Sequence, residues 1–159
     1  MGRGAKGFPE RDINKLYLSM LCVVALSADA QTFTTLAQFD GTNGGYVGYN
    51  PLIQGEDGNF YGATSGYYVH FKFPGTVFKV APSGTLTTVQ SLRNSDPYAG
   101  VLQAADGNLY GTTVYAGSHG DGRIFGIVPD GTLSTLFSFT GHDGLNPEGQ
   151  LIQTSSGTI

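Results

Sequence analysis

A short glycine-rich phrase that occurs twice limits what this chain can fold into. DGNFYG at residues 57–62 returns as DGNLYG at residues 106–111. The flanking sequence aligns as well, since GTVFKVAPSGTLTTVQSL (75–92) matches GRIFGIVPDGTLSTLFSF (122–139). Equivalent glycines lie 49 residues apart in the first pair of segments and 47 apart in the second. This periodicity indicates tandem repeats, each a unit that buries its apolar face only by stacking on its neighbours.

Two partial copies flank the two complete ones. TFTTLAQFDG (32–41) resembles TLSTLFSFTG (132–141), which ends the second copy, and GQLIQTSSGTI opens a third copy. The tandem repeats therefore fill residues 31–159. Within that region we predict four segments: a closing strand at 33–39, complete units at 51–92 and 100–139, and the start of a further unit at 149–159.

Each complete copy contains four runs typical of β-strands. The second copy contains VLQAA, NLYGTTV, RIFGIV and LSTLFSF, all rich in β-branched and aromatic residues and separated by Gly, Pro, Asp and Asn. No segment after residue 30 combines helical periodicity with helix-capping residues. We therefore expect four antiparallel strands in each copy, and units of about 40 to 50 residues with four strands are typical of β-propeller blades.

The predicted fold class is all-β. It is a β-propeller-like array of tandem four-stranded antiparallel blades, with about two complete blades and partial ones at each end. Because propellers have about four to eight blades, this array is an incomplete propeller. We expect a fragment of a longer propeller, or self-association if the chain is complete. A β-sandwich or a short β-solenoid is the alternative fold.

The repeated phrase has a structural explanation. Asp-Gly and Asn-Gly pairs suit tight hairpins, because these residues adopt positive φ at low cost. PSG (82–84) and PDG (129–131) are expected to form the second hairpin of each copy. We expect Gly62 and Gly111 to leave room for close packing of one sheet on another.

The N-terminal segment has the features of an export signal. Basic residues precede the apolar run LYLSMLCVVAL (16–26), and ADA at 28–30 supplies the small residues that a signal peptidase requires. We predict a signal peptide over 1–30, an exported protein of the envelope or extracellular space, and no membrane span after cleavage. A membrane anchor or a buried N-terminal strand is the alternative, although a span needs about 20 residues. Cys22 is the only cysteine, so the mature chain would lack disulfides and thiolate metal sites.

The repeats resemble the GloVer (Gloeobacter–Verrucomicrobia) repeat family. The resemblance is carried by LIQGEDGNFYGATSG, GTVFKVAPSGTLTTV, VLQAADGNLYGTTVYAG and IFGIVPDGTLSTLFSFTGHDG, and it covers about residues 32–157. It implies an exported, propeller-like bacterial repeat protein of the choice-of-anchor type, with no established enzymatic activity. The array is shorter than the family's usual run and has no C-terminal sorting tail, which fits the expectation of a fragment.

The polar residues do not form a recognisable catalytic or metal-binding pattern. The three histidines occupy unlike positions of the repeat, whereas a zinc site needs converging ligands. The turn aspartates supply too few oxygens for calcium, which takes about six to eight ligands. The formal net charge of −4 argues against nucleic acid as a partner. We predict no catalytic residues, no bound metal and no cofactor.

The loops between the second and third strands differ between copies. The first copy has SGYYVHFKF (65–73) where the second has VYAGSHGDG (114–122). Variable loops on a rigid framework are where binding surfaces are usually found. The candidate ligand-binding residues are Tyr67, Tyr68, His70, Phe71, Tyr115 and His119. They suit a glycan or a protein at the cell surface, and the alternative is that the aromatic residues extend a strand and pack.

These features together predict an exported, non-enzymatic repeat protein. Its role would be structural or binding, at the bacterial cell surface or outside the cell. The alternative function is a carbohydrate-binding or hydrolytic propeller module.

Overall fold

The second of two compact units contains all of the regular structure in the described residues. The computed structural model describes residues 32–48, 50–66, 73–93 and 95–159. The chain divides into Met1–Thr34 and Thr35–Ile159. The predicted signal peptide lies outside the described residues. In the part of the chain that is described, no helix is long and apolar enough to cross a bilayer.

Eight strands form two sheets, one in each complete repeat. The first sheet contains β1 (Ile53–Gln54), β2 (Phe60–Thr64), β3 (Gly75–Val80) and β4 (Leu86–Leu92) in sequential order. The second sheet contains β5 (Leu102–Gln103), β6 (Leu109–Thr113), β7 (Arg123–Ile127) and β8 (Leu133–Ser138), also in sequential order. All neighbouring strands are antiparallel. The described residues contain no helix, so the predicted all-β class with four-stranded antiparallel units is confirmed.

The two sheets have the same register down to their irregularities. The pairing of β3 with β4 shifts between Val77 and Phe78, and the pairing of β7 with β8 shifts between Ile124 and Phe125. These are equivalent positions of the repeat. A bulge of this kind increases the local twist of a strand pair, so both sheets carry the same local distortion.

The Asp-Gly-Asn phrase forms the first hairpin turn of each repeat, as predicted. In the first repeat, Gly58 N–H donates to the Gly55 carbonyl at 2.9 Å and Gly55 N–H donates to the Asn59 carbonyl at 2.8 Å. Gly58 has φ +78° and Gly107 has φ +79°. This is a turn closed by a left-handed residue, a position where glycine avoids the steric cost of a Cβ.

The expected role of Gly62 and Gly111 is wrong in one respect. The two glycines lie opposite Phe78 and Phe125 in the neighbouring strand of the same sheet. A Cβ at Gly62 would lie 2.7 Å from Phe78 Cζ, and a Cβ at Gly111 would lie 2.6 Å from Phe125 Cζ. Directly opposed side chains share one face of a sheet, so the space at Gly111 is taken by a ring of the same sheet rather than by another sheet. At Gly62 the space is taken by the equivalent ring together with Leu52, which precedes β1.

One apolar cluster joins the two sheets. Its buried members are Tyr61, Val77, Leu92, Val101, Leu109, Phe125 and Ile127, and Ile53, Val89 and Leu133 pack against it. Three of the buried residues come from the first sheet and three from the second, while Val101 precedes β5. Each fully buried aliphatic or aromatic side chain contributes about 1.5 to 3 kcal/mol, so this contact supplies much of the stability of both repeats.

Residues 33–39, the predicted closing strand, form no strand in the structure. The ring of Phe39 instead packs edge-on against Phe78, with ring centroids 4.8 Å apart. The equivalent pair in the next repeat, Leu92 and Phe125, belongs to the joint cluster. Phe39 therefore contacts the first sheet as the end of β4 contacts the second. A strand here would need hydrogen bonds from the third strand of a preceding repeat, and the described residues contain no such strand.

The third copy reproduces the first turn without a paired strand. Thr154 N–H donates to the Thr158 carbonyl at 2.8 Å, and Gly157 N–H donates to the Thr154 carbonyl at 2.9 Å. Gly157 has φ +87°, close to the value of the equivalent glycines. The third copy thus has the same first-turn conformation as the two complete copies.

Replacing Gly111 by alanine tests the packing of ring on glycine. Because the Phe125 side chain is fully buried and cannot move aside, Gly111→Ala is expected to lower the free energy of unfolding by about 1 to 3 kcal/mol. Chemical denaturation measures this change.

Gly126→Ala is the matched control in the neighbouring strand. A Cβ at Gly126 would approach no atom closer than 3.2 Å, that of the partly exposed Tyr110 ring, and the first repeat carries Lys79 at this position. We expect a clearly smaller loss for Gly126→Ala. Equal losses in the two variants would contradict the packing explanation.

Candidate functional site

The recurring aspartate of each first turn is held by hydrogen bonds of its own hairpin. Asp106 Oδ1 accepts from the Asn108 N–H at 3.0 Å. Its Oδ2 accepts from Asn108 Nδ2 at 2.8 Å and from the Tyr110 hydroxyl at 2.7 Å. The first repeat has the same three contacts among Asp57, Asn59 and Tyr61, at 2.6 to 3.1 Å. The phrase thus closes a turn and anchors a tyrosine of the following strand.

These bonds leave the turn carboxylates ionised and engaged. The Tyr110 hydroxyl, followed by the Asn108 N–H, lowers the pKa of Asp106. The Asn59 side chain, followed by the Tyr61 hydroxyl, lowers the pKa of Asp57. Both oxygens of each carboxylate already accept hydrogen bonds, which accounts for the aspartates without a bound cation. Among the described residues, no three His, Cys, Asp or Glu side chains lie close enough together to hold a metal ion.

The described residues of the variable loops lie at the opposite end of the sheets from these turns. Chain direction places the β2–β3 and β6–β7 loops beside the segments that lead into β1 and β5. Tyr115 is half-buried and His119 is exposed, and both lie on the β6–β7 loop. We call this side of the sheets the loop end. The other four candidate residues, Tyr67, Tyr68, His70 and Phe71, lie outside the described residues.

Hydrogen bonds within the β6–β7 loop hold its two ends together. Thr113 Oγ1 donates to the Tyr115 carbonyl at 2.5 Å, and Gly122 N–H donates to the Ala116 carbonyl at 3.1 Å. Ala116 has φ +77°, an uncommon value for a residue with a Cβ. Next to it, the His119 ring nitrogen Nδ1 lies 2.9 Å from Ser118 Oγ. The loop therefore presents His119 in a local hydrogen bond with Ser118.

Two exposed tyrosines at the loop end were not predicted from the sequence. The side chain of Tyr46 is 59% exposed and that of Tyr98 is 50% exposed. They lie in the segments that precede β1 and β5, outside the variable loops on which the sequence analysis concentrated. The available signal was an aromatic residue shortly before the first strand of each repeat, because antiparallel order brings that segment to the same end as the β2–β3 loop.

Asp96 is a buried carboxyl group that connects the two sheets at the loop end. Its Oδ1 accepts from the Gly66 N–H at 2.8 Å, and its carbonyl accepts from the Val114 N–H at 2.9 Å. Gly66 follows β2, and Val114 follows β6. The residue is only 7% exposed, and burial raises the pKa of its carboxyl group. The third copy has Asn146 at the equivalent position.

The raised pKa of Asp96 predicts a pH-dependent stability. A carboxyl group with a raised folded-state pKa stabilises the fold most at low pH, and this contribution is lost as the pH rises through the folded-state pKa. Asp96→Asn keeps the acceptor for the Gly66 N–H and removes the ionisation. We expect Asp96→Asn to raise the free energy of unfolding at neutral pH and to remove this pH dependence, as measured by denaturation across the acid range.

Asp96→Ala is the comparison variant, because it removes the acceptor as well as the charge. Leaving the partly buried Gly66 N–H without a partner is expected to cost about 1 kcal/mol at every pH. If Asp96→Asn were as destabilising as Asp96→Ala at neutral pH, the carboxylate itself would be required and the account would be contradicted.

Comparison with known proteins identifies the repeat. A family model described as the Gloeobacter/Verrucomicrobia repeat matches residues 22–159, which confirms the resemblance noted in the sequence. No curated protein matches the chain. The match extends over both sheets and over the partial copies on either side of them.

Proposed function

Because the chain belongs to the Gloeobacter/Verrucomicrobia repeat family, we propose that it is an exported, non-enzymatic repeat protein with a structural or binding role at the bacterial cell surface or outside the cell. The observation that carries the proposal is a difference between the two ends of the sheets. The Asp, Asn and Tyr side chains that recur at the first turns hydrogen-bond within their own hairpins, whereas the loop end differs between repeats and exposes tyrosines.

The proposed architecture is a propeller-like stack of blades. Support comes from the constant relation between one repeat and the next. A Cβ at Gly84 would lie 2.6 Å from the Leu36 carbonyl oxygen, and at the equivalent Gly131 the nearest atom is the Val89 carbonyl oxygen, 3.4 Å away. The segment before the first sheet thus approaches it as β4 approaches the second sheet. A repeated operation of this kind is what builds a propeller.

Export is proposed from the N-terminal sequence. The basic leader, the apolar run at 16–26 and the small residues at 28–30 follow the order of a secretory signal, with cleavage after Ala30. A mature chain without cysteine does not depend on an oxidising compartment for its stability.

A non-enzymatic role is supported by the state of the polar groups. The carboxylates that recur in the repeat are held in separate turns, and both oxygens of each already accept hydrogen bonds from their own hairpin. Buried Asp96 accepts a hydrogen bond from the Gly66 N–H that ties the two sheets together. These roles are structural, and they leave the loop end as the surface for recognition.

The loop end suits a glycan of the cell envelope. Tyrosine combines a flat apolar ring with a polar hydroxyl, and such side chains contact ligands at a low cost in conformational entropy. Tyr46, Tyr98 and Tyr115 are the described tyrosines at this end. A protein of the cell surface is the second partner that fits these side chains.

Glycan-array binding by the purified protein tests the proposal. We expect binding that falls at least about tenfold in Tyr98→Ala and Tyr115→Ala, since each removes an aromatic contact worth roughly 1.4 kcal/mol or more. Leu136→Ala is the control, because it removes a side chain that is 55% exposed on β8 rather than at the loop end. Turnover of any polysaccharide by the purified protein would contradict the non-enzymatic role, and equal binding by all variants would exclude the loop end.

A further inference from the structure

A glutamine bridges the first turns of consecutive repeats. Gln103 Oε1 accepts from the Glu56 N–H in the turn of the first repeat, at 3.0 Å. Its Nε2 donates to the Gly107 carbonyl in the turn of its own repeat, at 3.4 Å. One side chain thus holds two neighbouring turns in register.

The same bridge recurs between the second and third copies. Gln153 Oε1 accepts from the Ala105 N–H at 3.0 Å, and its Nε2 donates to the Gly157 carbonyl at 3.0 Å. Two independent occurrences show that the bridge belongs to the contact between repeats and is not an accident of one loop. We call this contact, together with the apolar residues beside it, the inner seam.

One glutamine acceptor and one turn N–H donor of this type lack the partner that would complete the bridge among the described residues. Gln54, the equivalent glutamine of the first repeat, donates to the Gly58 carbonyl at 3.4 Å, but its Oε1 accepts no hydrogen bond from any described residue. Ser155, the equivalent of Glu56 and Ala105, has an N–H that donates to no described residue. Among the described residues, the same bridge therefore has one open acceptor and one open donor.

Apolar side chains beside the bridge show the same pattern. Val101, two residues before its glutamine, is fully buried in the cluster against which Ile53 packs. Leu52, the equivalent of Val101, is 58% exposed. Ile152, the equivalent of Ile53, is 75% exposed. At the seam between the two sheets, Val101 is buried and Ile53 packs against the apolar cluster. The equivalent residues Leu52 and Ile152 are instead open to solvent.

We propose that a second copy of this chain docks head to tail on the inner seam. Ile152 and the Ser155 N–H of one copy would meet Leu52 and Gln54 Oε1 of the next copy. The contact continues an interface already present between the first and second sheets, and it uses the same donor, acceptor and apolar positions. A second copy is the occupant that carries both complementary halves.

The proposed contact is heterologous, since different surfaces of the two copies meet. Such a contact produces a closed ring if the rotation between copies closes, and an open filament if it does not. Assembly through the seam leaves the loop end free, so binding of a ligand there and self-association can be lost separately.

The mass of the purified full-chain protein, measured by sedimentation across a range of concentrations, tests the proposal. We expect oligomers larger than the monomer, and at least about tenfold weaker association in Gln54→Ala and Ile152→Ser. Gln150→Ala is the control of the same residue type, because Gln150 precedes the seam and makes no side-chain hydrogen bond within the described residues. A monomer at all concentrations, or unchanged association in both seam variants, would overturn the proposal.

Cross-linking tests the direction of the contact even if a seam variant is poorly folded. In a Cys22→Ser background, Leu52→Cys and Ile152→Cys are prepared separately and then mixed under mild oxidation. We expect disulfide-linked dimers only in the mixture. Dimers formed as readily by Leu52→Cys alone would indicate a symmetric contact and would overturn the head-to-tail arrangement, and no cross-link in any sample would overturn it as well.

Discussion

The contact between one repeat and the next is the interaction on which this structure depends. A sheet of four short strands cannot bury both of its faces by itself, and here a single apolar cluster draws on both sheets. The glutamine bridge fixes the register of that contact, because Gln103 bonds to the first turns of both repeats at once. The fold is therefore a property of the array rather than of one repeat, and the family to which the chain belongs is defined by that repeated unit.

The recurring residues serve this contact and the strands within each unit. Gly111 makes room for the ring of Phe125 in the neighbouring strand, so each sheet can keep a large aromatic residue on its packed face. Asp106 closes the turn and binds the tyrosine hydroxyl of the next strand. Because the repeated phrase is engaged in this way, recognition is proposed for the residues that vary, at the other end of the sheets.

Much of the fold could be predicted from the sequence, because local signals and periodicity agree. The turn glycines, the strand composition and the repeat length together predicted the number and order of the strands in each unit. The expectation that another sheet packs over Gly62 was wrong, because spacing along a strand does not show which neighbouring side chain fills the space above a glycine. The strand predicted at 33–39 did not form, since a strand needs hydrogen-bonding partners that a sequence pattern does not supply. Tyr46 and Tyr98 were missed because only the antiparallel order of the strands brings them to the loop end.

The most direct test of the account is amide hydrogen exchange at Glu56 and Ala105, measured by NMR. Both residues lie in exposed turns, where amides without a partner exchange quickly. If glutamine side chains of the following repeats hold these turns, both amides will be protected, and the Glu56 amide will lose its protection in Gln103→Ala. Fast exchange at both amides in the unaltered protein would contradict the claim that the bridge holds the repeats in register.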